Sequence, residues 1–304
     1  MALILSEVIS NNSEDLVLNR GGLILGQCLS AVGWVGGTVP KLPGHPGIVE
    51  LSMADVAGGA IAVGAALNGI KPVIYVVRYQ GFLWYNAITI INYAAKTQEM
   101  FDVECPLLVR AIAMEGSIGP VAGGSHHSLF LRMPGINVIA PMTPREWTSG
   151  WNFHYGGNTQ PTILSEHRLS YTISADFEEY RSSNPEVTIL GISAGRISAE
   201  QASKQLIHEG FHVDLFHLVW LSPLNLPEGF LESLQSSKFA VIVDSDFGNW
   251  GAAESLAFQI LKLVPQARIE VLGLRQESAG FSAQTDNLTP SGVNVVDAIK
   301  RVLA

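Results

Sequence analysis

Charge is what this chain has least of. Only 15% of its 304 residues are Asp, Glu, Lys or Arg, against about 25% in an average soluble domain. A surface so poor in charge belongs either in a membrane or against another protein chain. Long apolar runs are missing too: Ala57–Leu67 and Pro72–Val77 are parted by Asn68 and Lys71, and nothing reaches the ~20 residues that cross a bilayer. A partner chain over much of the surface is the expectation. Basic clusters are absent as well. Eighteen Lys and Arg face 27 Asp and Glu, a net charge of −9, which argues against nucleic acid, where neutralising phosphates supplies most of the affinity. Cysteine is scarce: Cys28 and Cys105 alone allow no disulfide framework and no metal-type spacing. Two reduced thiols fit a cytoplasmic chain. The opening residues MALILSEVISNNSED lack a basic stretch, and Ser6 and Glu7 cut their apolar run short; a secretory signal is not expected.

What is present is an alternation of short β-rich runs and helical runs. Gly22–Leu25, Ile48–Leu51, Pro72–Arg78, Leu107–Ala113, Ile136–Ala140 and Thr162–Leu164 read as strands, being rich in Val, Ile and Leu and bounded by Gly or Pro. Asp55–Asn68 and Phe82–Met100 read as helices. A further helix starts at Thr143, with Pro144 at its first position and Glu146 placed to close a capping box. The polar stretch Glu178–Glu186 marks a domain boundary, dividing the chain into residues 1–182 and 183–304. Beyond it the alternation resumes: strands at Val187–Ile192, Val213–Leu221, Ala240–Asp244 and Arg268–Leu274, and helices at Ala199–His208, Glu228–Leu234, Ala252–Leu263 and Asn294–Val302. Near-continuous apolar strands between helices imply parallel sheets covered on both faces. The expected fold class is α/β, with two tandem domains.

Four features carry possible chemistry. Gly191-Ile-Ser-Ala-Gly195 has the form of a hydrolase nucleophile elbow. The histidines that follow it, His208, His212 and His217, share one helix and the adjoining strand with Glu200, Glu209 and Asp214, so no separate loops remain to assemble a triad. An ordinary strand-to-helix turn is the better reading. Gly123-Gly-Ser-His-His-Ser128 lies in a loop after a strand, where imidazoles are placed for acid–base work; a solvated loop is the alternative. Tyr79, Phe82, Trp84 and Tyr85 cluster at the end of another strand, either as core or as a stacking surface for a flat ligand. Asp55 opens a helix built of small residues, as a cap favoured by the helix dipole or as a functional carboxylate.

In this order the features resemble the beta subunit of two-chain, thiamine-diphosphate-dependent 2-oxo acid dehydrogenases, and more distantly the second half of transketolase. The likeness runs through Ser52–Gly64, Tyr79–Tyr85 with Asn92–Lys96, Pro106–Arg110, Gly123–Ser128, Pro134–Pro141 and Ser165–Leu169. It continues in Leu221–Asn225 and Val243–Glu254, and so covers nearly the whole chain. The resemblance implies a transketolase-like pyrimidine-binding domain followed by a transketolase C-terminal-like domain. It gives Asp55 the cofactor-activating carboxylate, Phe82 a stacking role on the pyrimidine, and Tyr79 and Tyr85 the walls of its pocket. His127, with His126, would move protons on the substrate.

Two departures stand out: the family has Glu where this chain has Asp55, one methylene shorter, and Leu129–Pro134 is a shortened segment. Nothing in the chain resembles the family's magnesium and diphosphate segment. The resemblance therefore implies an alpha subunit that binds magnesium and the diphosphate, an alpha2beta2 heterotetramer, and a 2-oxo acid as substrate. A split transketolase acting on ketoses, and a catalytically silent assembly or regulatory subunit, are the alternatives.

Overall fold

The computed structural model describes residues 2–69 and 72–303. They form two compact units, one of residues 1–113 with 129–176, the other of residues 114–128 with 177–304. The polar segment after Asp176 belongs to the second unit, because the Tyr180 carbonyl accepts from Leu215 N at 3.0 Å and Ser182 N donates to Asp214 Oδ1 at 2.6 Å. The histidine-bearing stretch 114–128, which a continuous first domain of 1–182 would include, also sits with the second unit.

In chain order the first unit holds α1 (Leu5–Asn19), β1 (Leu23–Gln27), α2 (Ala31–Gly37), β2 (Ile48–Leu51), α3 (Asp55–Leu67) and β3 (Val73–Val77). There follow α4 (Leu83–Thr89), α5 (Thr97–Phe101), β4 (Leu107–Ala113), α6 (Ser128–Leu131), β5 (Asn137–Ile139), α7 (Pro144–Tyr155) and β6 (Thr162–His167). Its strands are parallel, in the order β2-β1-β3-β4-β6-β5. The central strands β3 and β4 are buried at every residue, as a sheet covered on both faces requires. The connections leave β1 in opposite directions, β2 on one side and β3 on the other. That reversal is the topological switch point outside which such sheets bind ligands, at the carboxyl ends of their strands.

Three local outcomes depart from periodicity. Helix α1 lies outside the expected elements; its buried stripe Leu5, Ile9, Ser13, Leu16 and Val17 follows helical spacing, but Asn11, Asn12 and Ser13 weaken the propensity signal. The expected single helix over Phe82–Met100 is broken into a 3₁₀ turn at Gln80–Phe82, α4, a π-turn at Ile90–Ala94, and α5. Two side chains in it bond backbone carbonyls, Asn86 Nδ2 to Phe82 O at 3.0 Å and Thr89 Oγ1 to Asn86 O at 3.0 Å. The Ala95 amide reaches back to Ile90 O at 2.9 Å, the π-type step that often marks functional sites. Third, α2 is left-handed over its last five residues: Gly33, Trp34, Val35, Gly36 and Gly37 all have positive φ. Such a run costs roughly 1–2 kcal/mol per non-glycine residue, and three glycines confine that cost to Trp34 and Val35. The expected start of α7 holds, with Thr143 Oγ1 accepting from Glu146 N at 3.4 Å. Glu146 in turn accepts from Met142 N at 2.9 Å, one residue before the cap.

The second unit contains β7 (Val187–Ile192), α8 (Gly195–His208), β8 (Val213–Leu218), β9 (Trp220–Ser222), α9 (Phe230–Ser237), β10 (Phe239–Phe247), α10 (Ala252–Leu263), β11 (Arg268–Leu274) and α11 (Gly292–Leu303). Four of its strands form a parallel sheet, β11-β10-β7-β8. Val187, Ile189, Val213, Leu215, Val241 and Val243 from that sheet pack on Ala202, Leu206, Val295 and Ile299 of α8 and α11.

Candidate active site

Asp55 is the first residue of α3, and the capping position before it is Ala54, which makes no side-chain cap bond. The helix dipole favours a carboxylate here, yet Asp55 is not the cap that a bland reading makes it. Its charge and, above all, burial raise the Tyr75 phenol above its ordinary range. The Tyr75 hydroxyl donates to Asn86 Oδ1 at 3.0 Å, and Asn86 Nδ2 donates onward to the Phe82 carbonyl. One bonded path thus joins the neighbourhood of the carboxylate to the aromatic turn. Gly58 and Gly59 make room for it: a Cβ on Gly58 would stand 3.0 Å from the Tyr75 hydroxyl, and one on Gly59 2.5 Å from Asn86 Oδ1.

The aromatic cluster is not core. Tyr79 and Phe82 are half-buried, while Trp84 and Tyr85 are each 57% exposed. The ring centres step from Tyr79 to Phe82 at 6.0 Å and from Phe82 to Tyr85 at 6.5 Å, tilted throughout. Beneath them Gln80, unremarkable in sequence, is fully buried. Its Nε2 donates to the Ala111 carbonyl at 3.0 Å and to Ser165 Oγ at 2.8 Å, tying the aromatic turn to β4 and β6. Arg110 and Glu166 lie on the same strands as a buried bidentate pair, with Nε–Oε1 at 2.6 Å and Nη2–Oε2 at 2.9 Å. Arg110 Nη1 also donates to Thr38 O, and the Tyr171 hydroxyl to Glu166 Oε2. A buried ion pair is tolerated only with such extra bonds. This one anchors the segment after the left-handed α2 turn.

In the second unit the histidine loop is docked, not solvated. Ser125 N donates to the Ser245 carbonyl at 3.0 Å, and the two serine hydroxyls meet at 2.7 Å. Ser128 N donates to Asp246 Oδ2 at 3.0 Å. His127 is fully buried, its Nε2 3.0 Å from Asp244 Oδ2 and 3.7 Å from Asp246 Oδ2. Burial opposes the charged ring, but Asp244 and then Asp246 override it and push His127 up to about 9. His126 moves the other way, lowered chiefly by burial and also by the charge of its neighbour. Neither aspartate was given a role from the sequence, although both fall within the Val243–Glu254 segment of the resemblance. Among the described residues no cluster of three or more His, Cys, Asp or Glu side chains could hold a metal ion.

The Gly191–Gly195 motif is the ordinary turn. Ser193 adopts φ 47°, is fully buried, and its Oγ has no hydrogen-bond partner. Gly195 is required by close approach, since a Cβ would stand 2.4 Å from the Val243 carbonyl. No hydrogen-bonded base stands ready to activate this hydroxyl. Cys105 is equally inert, buried with its thiol pushed up to about 12.

Residues 44–173 match the family described as transketolase, pyrimidine binding domain. The chain is 24% identical over 278 residues to the acetoin:2,6-dichlorophenolindophenol oxidoreductase subunit beta of Cupriavidus necator, covering 84% of this chain and 80% of the relative. To the pyruvate dehydrogenase E1 component subunit beta of Chaetosphaeridium globosum it is 25% identical, over 84% of this chain and 83% of the relative. Among solved structures, a split gene transketolase in an inactive beta4 tetramer superposes with a TM-score of 0.70 at 15% identity, covering 100% of this chain and 99% of that one. Transketolase from Campylobacter jejuni gives 0.73 at 14% identity, over 99% of this chain and 47% of that one.

Proposed function

We propose that this chain, a transketolase-like homologue of 2-oxo acid dehydrogenase E1 beta subunits, is the beta subunit of a thiamine-diphosphate-dependent enzyme that cleaves or forms a carbon–carbon bond next to a carbonyl. The favoured reaction is decarboxylation and oxidation of a 2-oxo acid, together with an alpha subunit. Residues 1–182 are read as the pyrimidine-binding domain, and residues 183–304 as the C-terminal-like domain.

One observation carries this reading. Asp55 and the Tyr79–Phe82–Tyr85 steps follow the two strands that flank β1, at the switch point where a parallel sheet takes its ligand. A half-exposed carboxylate beside accessible aromatic faces fits a flat, protonatable heterocycle. Bound thiamine diphosphate supplies a carbon nucleophile and an electron sink. Asp55 would hold a proton at the pyrimidine ring nitrogen, Phe82 would stack on the ring, and Tyr79 and Tyr85 would flank it. In the second unit, His127 would supply a positive charge or a proton to the substrate, with neutral His126 beside it.

Magnesium and the diphosphate are assigned to the alpha subunit, in an alpha2beta2 assembly. The surface supports a covering partner: Ile61, Trp84, Tyr85, Ile88, Tyr93 and Phe101 are all more than half exposed on α3 to α5 and the turn between them. Location in the cytoplasm rests on the two unpaired thiols; no helix among the described residues is long and apolar enough to cross a membrane. The shorter reach of Asp55 is the feature that favours the silent-subunit reading. Co-expression with the candidate alpha chain, then cofactor calorimetry and turnover with 2-oxo acids and ketoses, decides among them. A complex that binds the cofactor and turns over 2-oxo acids supports the dehydrogenase. Turnover of ketoses alone moves the assignment to the split transketolase, and no turnover with either class favours the silent subunit.

A further inference from the structure

We propose that Asp244 is a positioning residue that holds His127 in its charged form, so that the loop presents one imidazolium and one neutral imidazole side by side. The inference rests on the functional reading of His127, but it concerns the charge of the ring, which can be measured without turnover.

The geometry carries it. Asp244 is fully buried in β10 and directs Oδ2 to His127 Nε2 at 3.0 Å. Its other oxygen, Oδ1, has no hydrogen-bond partner. A carboxylate so placed is costly unless its charge is offset nearby. His127 lies within salt-bridge distance and can offset it. Asp246, two residues along the same strand, adds a second carboxylate oxygen at 3.7 Å while also accepting from Ser128 N. Asp244 and Asp246 from β10 favour the charged ring of His127, and that charge in turn bears on His126 in the same loop. Two anions outweigh the burial of the ring.

The consequence is mechanistic. A ring fixed as imidazolium can donate a proton or stabilise negative charge, but at neutral pH it cannot act as a base. Any proton accepted from substrate must go to another group, and the neutral His126, lowered by burial, is the adjacent candidate.

The test is a pH titration of the full chain labelled at histidine Cε1, followed by NMR, with the His127 signal assigned from His127→Gln. Wild type should titrate near 9. Asp244→Asn should move the midpoint down to or below the ordinary 6.5, because burial then dominates. Asp246→Asn should move it less, in keeping with the longer distance, and Asp244→Glu should restore part of the shift. A wild-type midpoint below 7, or an Asp244→Asn midpoint equal to wild type, overturns the proposal. Should Asp244→Asn fail to fold, the wild-type midpoint and the Asp246→Asn shift decide. The pH profile of turnover in the complex separates the two levels. A shifted NMR midpoint with an unmoved pH profile supports the role of Asp244 and removes His127 from the reaction.

Discussion

Gly59 of α3 and Asn86 of α4 meet so closely that a Cβ on the glycine would stand 2.5 Å from Asn86 Oδ1, the same atom that accepts the Tyr75 hydroxyl. It would also stand 2.6 Å from Thr89 Oγ1. The absence of a side chain at one position therefore sets how near the helix bearing Asp55 lies to the helix that continues from Phe82.

Gly59→Ala should accordingly destabilise the protein by ~1–3 kcal/mol through overpacking, despite alanine's better helix propensity. Gly64→Ala is the internal control: it lies on the same helix with open space around it, and should stabilise by ~0.5–1 kcal/mol. Chemical denaturation of both variants checks the pair. Equal effects would mean that the contact at Gly59 is unimportant.

Asp55 separates a working enzyme from a silent subunit. If its carboxylate holds a proton at the cofactor ring, Asp55→Asn in the assembled complex should slow hydrogen–deuterium exchange at thiamine C2 by roughly one to two powers of ten, the worth of a charge-assisted bond. Asp55→Glu should preserve or raise the rate. Because the capping residue is Ala54, the loss of stability in Asp55→Asn should stay within the ~0.3–1 kcal/mol of a dipole interaction. Identical exchange in all three proteins would take Asp55 out of the chemistry.

Stability should fall on both sides of neutrality. His127 is raised from 6.5 to about 9 in the folded protein. Its contribution is therefore complete below 6.5 and lost as pH rises through 9, by an amount on the order of 3 kcal/mol. His154 behaves oppositely: burial lowers it to about 4, so its contribution is present above 6.5 and is lost as pH falls toward 4. Urea denaturation from pH 4 to 10 reads both limbs. The alkaline limb should disappear in Asp244→Asn, and its persistence would assign it to other groups.

Ser193 should be dispensable. It holds a positive φ and a buried hydroxyl without a partner, so Ser193→Gly should relieve strain and desolvation together, raising stability by ~1 kcal/mol. Turnover of the complex should be unchanged. A loss of activity without a loss of stability would reopen the nucleophile reading.

Much of this protein is written locally. Strand β3 is a run of apolar residues, and β4 is one apart from Arg110, because both sheet faces are covered, and Thr143, Pro144 and Glu146 mark the start of α7 through bonds within one turn. The order of Asp55, the aromatic turn and the histidine loop needed no structure to be seen. Other features depend on residues far apart in the chain. Gln80 matters through Ser165, 85 positions away, and nothing near it announces that bond. Phe82–Met100 has the composition of one helix, but Asn86 and Thr89 spend their polar groups on its backbone carbonyls. The charge of His127 was beyond local reading altogether. It is decided by Asp244, 117 positions later, because ionisation depends on which charges share a buried space, and only tertiary folding brings those together.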